Sequence, residues 1–207
     1  MQRLRLTFAK TEAMRFTGHL DLHTAWERTF RRARLPLAYS QGYHPQPRLQ
    51  LAAALPLGFT SECEIADVWL ETPQEPEAVR AALEAALPPG LKLLSITEVP
   101  PAEPALQTQV RSAEYLVTLD TDWTAEELDA RLAALLAQPS IPRVRRGKAY
   151  DLRPLIESAE RAGDARTLRL QLAAREGATG RPEEVVEALG IGTVGARFHR
   201  TRLILAA

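Results

Sequence analysis

TGHLDLHTAWERTFRRARLPLAYSQGYHPQPRLQLAAALPLGFTSE, residues 17–62, sets a helix, a loop and a strand in immediate succession. Leu22, Ala25, Trp26, Thr29, Phe30 and Ala33 recur at i, i+3, i+4, i+7, i+8 and i+11. That continuous stripe predicts an amphipathic helix over His19–Arg34. The Gly42–Pro47 loop leads into an apolar strand over Arg48–Ala54, and Pro56-Leu57-Gly58 makes a second turn. Helix and strand need only their apolar residues. The Arg, His, Tyr, Gln and Ser crowded at their edges therefore point to a surface that grips a polyanion or a defined partner.

On either side the alternation continues. Arg3–Lys10 alternates as a strand, and Glu64–Glu71 carries the β-formers Ile65, Val68, Trp69 and Leu70. Pro76–Leu87 reads as a helix with Pro at its start and Pro88-Pro89-Gly90 beyond its end, and Leu91–Val99 as a strand. The order is β-α-β-β-α-β. It returns after residue 112: a strand at Tyr115–Leu119, then a helix opened by the capping-box pair Thr124 and Glu127 and running to Gln138. An extended stretch over Ile141–Ile156 is broken at Arg146-Gly147. A strand at Thr167–Ala174, a helix at Pro182–Leu189 and a strand at Arg197–Leu205 complete the second set. The expected fold is α+β, two tandem ferredoxin-like halves with antiparallel sheets and helices on one face. The halves span 1–100 and 113–207, joined by an aperiodic linker over 101–112.

The 207 residues carry 26 basic and 26 acidic side chains, but unevenly. Residues 1–50 hold nine bases against three acids, 51–140 four against fifteen, and 141–207 thirteen against eight. Two basic segments flank an acidic one, and if folding brings them together they form an anion-binding groove. All but Lys10, Lys92 and Lys148 of the bases are arginine, the residue suited to bidentate phosphate contact. Cys63 is the single cysteine, which excludes an intrachain disulfide and a cysteine-ligated iron–sulfur cluster in this chain. No run approaches the roughly 18 apolar residues that span a bilayer, and MQRLRLTFAK lacks the apolar core of a signal peptide. A cytoplasmic protein without a membrane partner is expected.

Among candidate sites, His19 and His23 stand at i, i+4, a spacing that can chelate a metal, but no HExxH frame or third ligand accompanies them. His19 and Asp21 suit capping or phosphate contact at the helix start. Arg28, Arg31, Arg32 and Arg34 lie off the apolar stripe with only Glu27 to balance them. In the loop, Ser40, Gln41 and Arg48 offer hydrogen bonds and Tyr43 and His44 offer stacking planes. The second half supplies Arg143, Arg145, Arg146 and Lys148 around Gly147, then Arg153, and Arg200 on the last strand. No catalytic residues, cofactor or metal site are assigned. Walker, GxGxxG and GxSxG motifs are absent from the sequence.

The segments TGHLDL, ERTFRRARLPLAYSQGYHPQPRL, ALPLGFTSECE, YDLRPLI and RTRLIL resemble the radical SAM-linked protein family, a bacterial domain of unknown function encoded beside or fused to radical SAM proteins. The matching positions include His19, Asp21, Arg28, Arg31, Arg32, Ser40, Gly42, Pro45, Pro47, Gly58, Ser61, Glu64, Asp151, Arg153, Arg200 and Thr201. Gln46 and Leu49 stand where that pattern usually has Arg and Lys, so this loop is less basic than the family's. The resemblance implies a radical SAM protein on a separate chain and a setting near RNA and ribosome genes. A non-catalytic RNA-binding accessory is therefore expected. The alternatives are a protein–protein adaptor that touches no RNA and, by architecture only, a CRISPR-type endoribonuclease using His19 or His44.

Overall fold

Residues 1–100 and 102–206 are described by the computed structural model of the protein. Pro101, the first residue of the expected linker, and Ala207, the last of the expected second half, lie outside the described residues. The chain divides into two compact units, Met1–Val110 and Arg111–Ala207. Both mix helices with mostly antiparallel strands.

In the first unit, strand β1 (Gln2–Lys10) lies between β3 (Phe59–Leu70) and β4 (Leu91–Glu98), antiparallel to each. Strand β2 (Leu49–Leu51) pairs with β3 through Leu49↔Val68, Gln50↔Asp67 and Leu51↔Ala66. The sheet order is thus β4-β1-β3-β2. Leu4, Leu6 and Phe8 of β1 and Ala66, Val68 and Leu70 of β3 face one way, as period-2 strands require. Helix α1 (His19–Arg32) covers them with Leu22, Trp26 and Phe30, and helix α2 (Pro76–Ala86) with Val79 and Leu83. Phe8 and Trp26 meet edge to face, ring centroids 4.8 Å apart. Each such side chain contributes roughly 1.5–3 kcal/mol by leaving water, which is why the stripe in α1 sets its orientation.

Helix α1 stops two residues before its periodicity predicts. Arg34 takes a left-handed conformation (φ 57°) while Leu35 N donates to Phe30 O at 3.2 Å, an αL termination usually given to Gly. Strand β2 is shorter than the expected Arg48–Ala54, and β3 begins at Phe59 because its pairing with β1 runs on to Lys10↔Ser61. The span expected as a linker contains helix α3 (Leu106–Gln109) and the first residues of strand β5 (Val110–Thr118).

The opposite face of this sheet holds the unit's main polar cluster. Asp67, fully buried, accepts from Arg3 Nε and Nη2 on one side and from Arg5 Nε (2.8 Å) and Nη2 (3.0 Å) on the other. Arg3 continues outward to Glu103 O (2.6 Å) and Pro104 O (2.8 Å), which ties the segment leading into α3 down onto the strands. The hydrogen bond from Arg5 to Asp67 outweighs desolvation and raises the Arg5 pKa. Lys10, also fully buried, donates to Arg15 O. Of the bases counted toward a surface charge, Arg3 and Lys10 are therefore buried and Arg5 is half-buried.

In the second unit, β5 (Val110–Thr118) lies between β9 (Thr167–Arg175) and β11 (Arg197–Leu205), and β8 (Ile156–Arg161) and β10 (Ala178–Thr179) pair with β9. The order β11-β5-β9-β8 parallels that of the first unit. Helix α4 (Ala125–Leu136) carries the expected capping box, Glu127 N donating to Thr124 Oγ1 and Thr124 N to Glu127 Oε2. Helix α5 (Pro182–Ala188) buries Val185 and Val186. Between α4 and β8 a hairpin of β6 (Pro142–Arg145) and β7 (Lys148–Asp151) turns through Arg146 (φ 52°) and Gly147 (φ 76°), the two positive angles of a type I′ turn.

Replacing Asp67 by Asn leaves the buried Arg3 and the half-buried Arg5 guanidinium groups uncompensated. Urea unfolding should show a loss of about 3–5 kcal/mol, carried by a lower midpoint at unchanged slope.

Candidate nucleic-acid interface

The first unit spends most of its arginines internally. Arg15 Nε donates to Gly58 O at 2.9 Å and Nη1 pairs with Glu12. Arg32 Nη1 donates to Ala86 O at 2.7 Å, closing the C-terminal end of α2. Arg28, Arg31 and Arg34 remain exposed on the last turns of α1 and its termination. Arg31 has only Glu27 at 3.9 Å, and no ion pair of Arg28 or Arg34 exists among the described residues.

At the start of the same helix, Asp21 folds its carboxylate back beside Gly18, within the first turn where the helix dipole favours an anion. His19 is half-buried there. His23 Nε2 lies 3.2 Å from Leu49 O, so it faces β2 rather than pairing with His19.

The loop after α1 is a closed excursion. Tyr39 and Pro47 form its bridge, Ser40 N donates to Gln46 O at 2.8 Å, and Gln46 N donates to Ser40 Oγ at 2.9 Å. Its tip projects Gln41, Gly42, Tyr43, His44 and Pro45 into solvent. Tyr43 is 95% exposed, its ring edge-on to His44 at 5.1 Å. Ser40 thus shapes the loop, while Gln41, Tyr43 and His44 stand at its tip.

Arg48 sits at the loop's exit with its Cζ 5.0 Å from the centroid of the Trp69 ring; Arg3 Cζ lies 5.2 Å from the same centroid. Trp69 and Gln50 line this corner with Arg48. Neither was singled out from the sequence. The alternation of β3 could have found Trp69, since Asp67 and Trp69 share the face opposite Val68 and Leu70.

The basic hairpin of the second unit proves largely self-contained. Arg145 forms an ion pair with Glu184 at 2.6 Å, donates to Tyr150 Oη at 2.8 Å and covers the Tyr150 ring. Burial works against the Arg145 charge, and Glu184 more than restores it, so its pKa rises. Burial, with Glu184 adding to it, pushes the Tyr150 hydroxyl up to about 12. Arg143 Nη2 reaches Glu184 O, and Arg153 Nε donates to Leu136 O at 2.9 Å at the end of α4. Arg200 is buried. Arg146 and Lys148, at the turn, are the exposed members of this group.

A two-unit α+β protein with an exposed arginine face and an aromatic loop on its first unit is what these features define. The family model described as an uncharacterized protein conserved in bacteria (DUF2344) matches residues 3–182, and the chain belongs to that family. No curated protein matches the sequence. Among solved structures, the chain is similar to one in a crystal structure of a Cbf5–Nop10–Gar1 complex, at 13% identity and a TM-score of 0.50, covering 97% of this chain and 48% of that one. It is also similar to one in an archaeal box H/ACA sRNP Nop10–Cbf5 complex, at 14% identity and a TM-score of 0.46, covering 97% and 48%. The chain spans about half the length of these structures. At such identities the likeness is one of fold. No helix among the described residues is long and apolar enough to cross a membrane.

Asp151 gives the hairpin a pH signature. Its carboxylate accepts from Ile141 N (2.7 Å) and Arg153 N (2.9 Å), and these backbone donors hold its pKa below the usual carboxylate range. A lowered folded pKa gives stability that is present above the unfolded pKa, about 3.9, and lost as pH falls through the folded one. Asp151→Ala should lower the thermal midpoint at pH 7, and the gap to the parent protein should close as the pH is lowered past that point.

Proposed function

We propose that this protein is a non-catalytic RNA-binding accessory that works with a radical SAM enzyme on a separate chain, in rRNA or tRNA modification or ribosome-related RNA metabolism. In this reading the two units are tandem ferredoxin-like halves, supported by the matching orders β4-β1-β3-β2 and β11-β5-β9-β8.

One observation carries the RNA reading. The first unit binds Arg3, Arg5, Arg15 and Arg32 into internal hydrogen bonds, yet leaves Arg28, Arg31 and Arg34 exposed at the end of the helix that leads into a loop whose tip presents Tyr43 and His44. Solvation alone does not require exposed stacking planes and uncompensated guanidinium groups on the same unit. Phosphate contact with base stacking uses both. Arg146 and Lys148 are the second unit's proposed anion contacts, with Arg143, Arg145, Arg153 and Arg200 in supporting positions. The radical SAM partner rests on the family resemblance of the TGHLDL and ERTFRRARLPLAYSQGYHPQPRL segments.

A second reading, an adaptor without RNA contact, is favoured by the exposed apolar side chains Phe16, Leu20 and Leu57. Two hydrogen bonds between Arg15 and Gly58 tie the segments that carry Phe16 and Leu57 together.

Replacing Arg28 and Arg31 together by Gln should weaken binding of a single-stranded RNA. The slope of log affinity against log salt should flatten by about 1.4, two contacts at roughly 0.7 each for a single strand. Filter binding between 50 and 200 mM salt measures it. An unchanged slope, with copurification of a partner protein that survives nuclease treatment, would favour the adaptor.

A further inference from the structure

At the base of the 39–47 loop a cavity of about 210 Å³ opens against β2 and β3, lined by Ser40, Gln46, Pro47, Arg48, Gln50 and Trp69. We infer that this cavity holds a single unpaired nucleobase, laid against the Trp69–Arg48 layer and recognised through an N–H edge by Gln50. This deepens the RNA-binding reading and rests on it.

The first ground is an unmet acceptor. Gln50 Oε1 is buried and has no hydrogen-bond partner. A buried amide oxygen left so costs about 1–3 kcal/mol, and Gln50 is a lining residue of the cavity. A ligand that brings an N–H donor removes that cost once the Gln50 amide turns into the cavity. The backbone explains why Gln50 points here. In β2, Leu49 and Leu51 enter the core, so Gln50 must take the opposite face, directly across from Asp67.

The second ground is the aromatic wall. Arg3 is held by Asp67, Glu103 O and Pro104 O and braces the Trp69 ring from a fixed position. Arg48 also lies over that ring, but its side-chain hydrogen bond goes to the Met1 thioether at 2.7 Å, a weak acceptor. Arg48 can therefore shift to lie over an incoming ring at little cost, and a guanidinium plane is itself a stacking surface for a base.

Size is the third ground. Pockets for drug-sized ligands run from about 300 Å³ upward. The 210 Å³ here suits one planar ring system with its sugar and phosphate left outside. The exposed loop tip and Arg48 stand where a backbone would leave. A duplex cannot enter, because a cavity of about 210 Å³ takes one ring system and not a stacked pair. Of the four bases, adenine fits the amide best: its N6 amino group donates to Oε1 while N1 or N7 accepts from Nε2, and the size of the cavity restricts it to a base outside a pair.

The test titrates the full chain with an adenosine hexamer while following indole fluorescence, and repeats it with a hexamer of N6,N6-dimethyladenosine, which lacks the donor. The expected result is quenching that saturates with binding and disappears in Trp69→Phe. The dimethylated probe on the parent protein should bind about five- to a hundredfold more weakly, and the adenosine hexamer should lose the same factor in Gln50→Ala. The probe comparison needs no variant, so it stands even if a substitution disturbs folding. Equal affinity for both hexamers, with salt-dependent RNA binding retained, would overturn the base pocket and leave the RNA reading intact. No binding of any RNA at 50 mM salt would overturn both.

Discussion

A single carboxylate organises the first unit. Asp67 is inaccessible to solvent and shared by Arg3 and Arg5, so two charges on β1 are tolerated inside the protein only because β3 supplies their counter-ion in register. Burying ions is costly, and such a cluster adds little to stability over an apolar replacement. What it fixes is arrangement: β1 beside β3, the segment leading into α3 drawn onto the sheet through Arg3, and Trp69 braced by the same guanidinium. The corner beside Gln50 takes its shape from this cluster.

Seen from that cluster, the charge segregation of the sequence has two meanings. Nine bases in the first fifty residues read as an electropositive patch, yet Arg3 and Lys10 are buried, Arg5 is half-buried against Asp67, and Arg15 and Arg32 make structural hydrogen bonds. The hairpin around Gly147 behaves likewise, with Arg145 neutralised by Glu184. Composition counts charges and cannot tell a satisfied ion from a free one. Only a carboxylate brought near by the fold does that, and Asp67 and Glu184 are 62 and 39 residues away from their partners.

Secondary structure was legible wherever one periodicity dominated. The stripe of α1, the Thr124–Glu127 capping box and the strand at Arg197–Leu205 all appear where the residues indicate. Misreadings fall where a local signal was outvoted. Helix α1 ends early because Arg34 adopts an angle that nothing in its chemistry announces. Strand β8 begins at Ile156, where the expected extended stretch ends, and is hidden in the sequence because Glu157, Glu160 and Arg161 mask its few apolar residues and only pairing with β9 defines it. Of the site, the loop and the arginines of α1 could be seen in advance. Trp69 could have been found from the alternation of β3, but Gln50 could not, because it looks like ordinary strand filling until the sheet shows which face it occupies.

The hydrogen bond from Arg32 to the end of α2 has one more implication. It clamps the last turn of α1, so Arg28 and Arg31 project from an anchored scaffold instead of a fraying terminus. Basic tails wrap whatever polyanion they meet. Guanidinium groups mounted on an anchored helix select by spacing, because a ligand whose negative charges do not match their separation cannot recruit them by bending the protein.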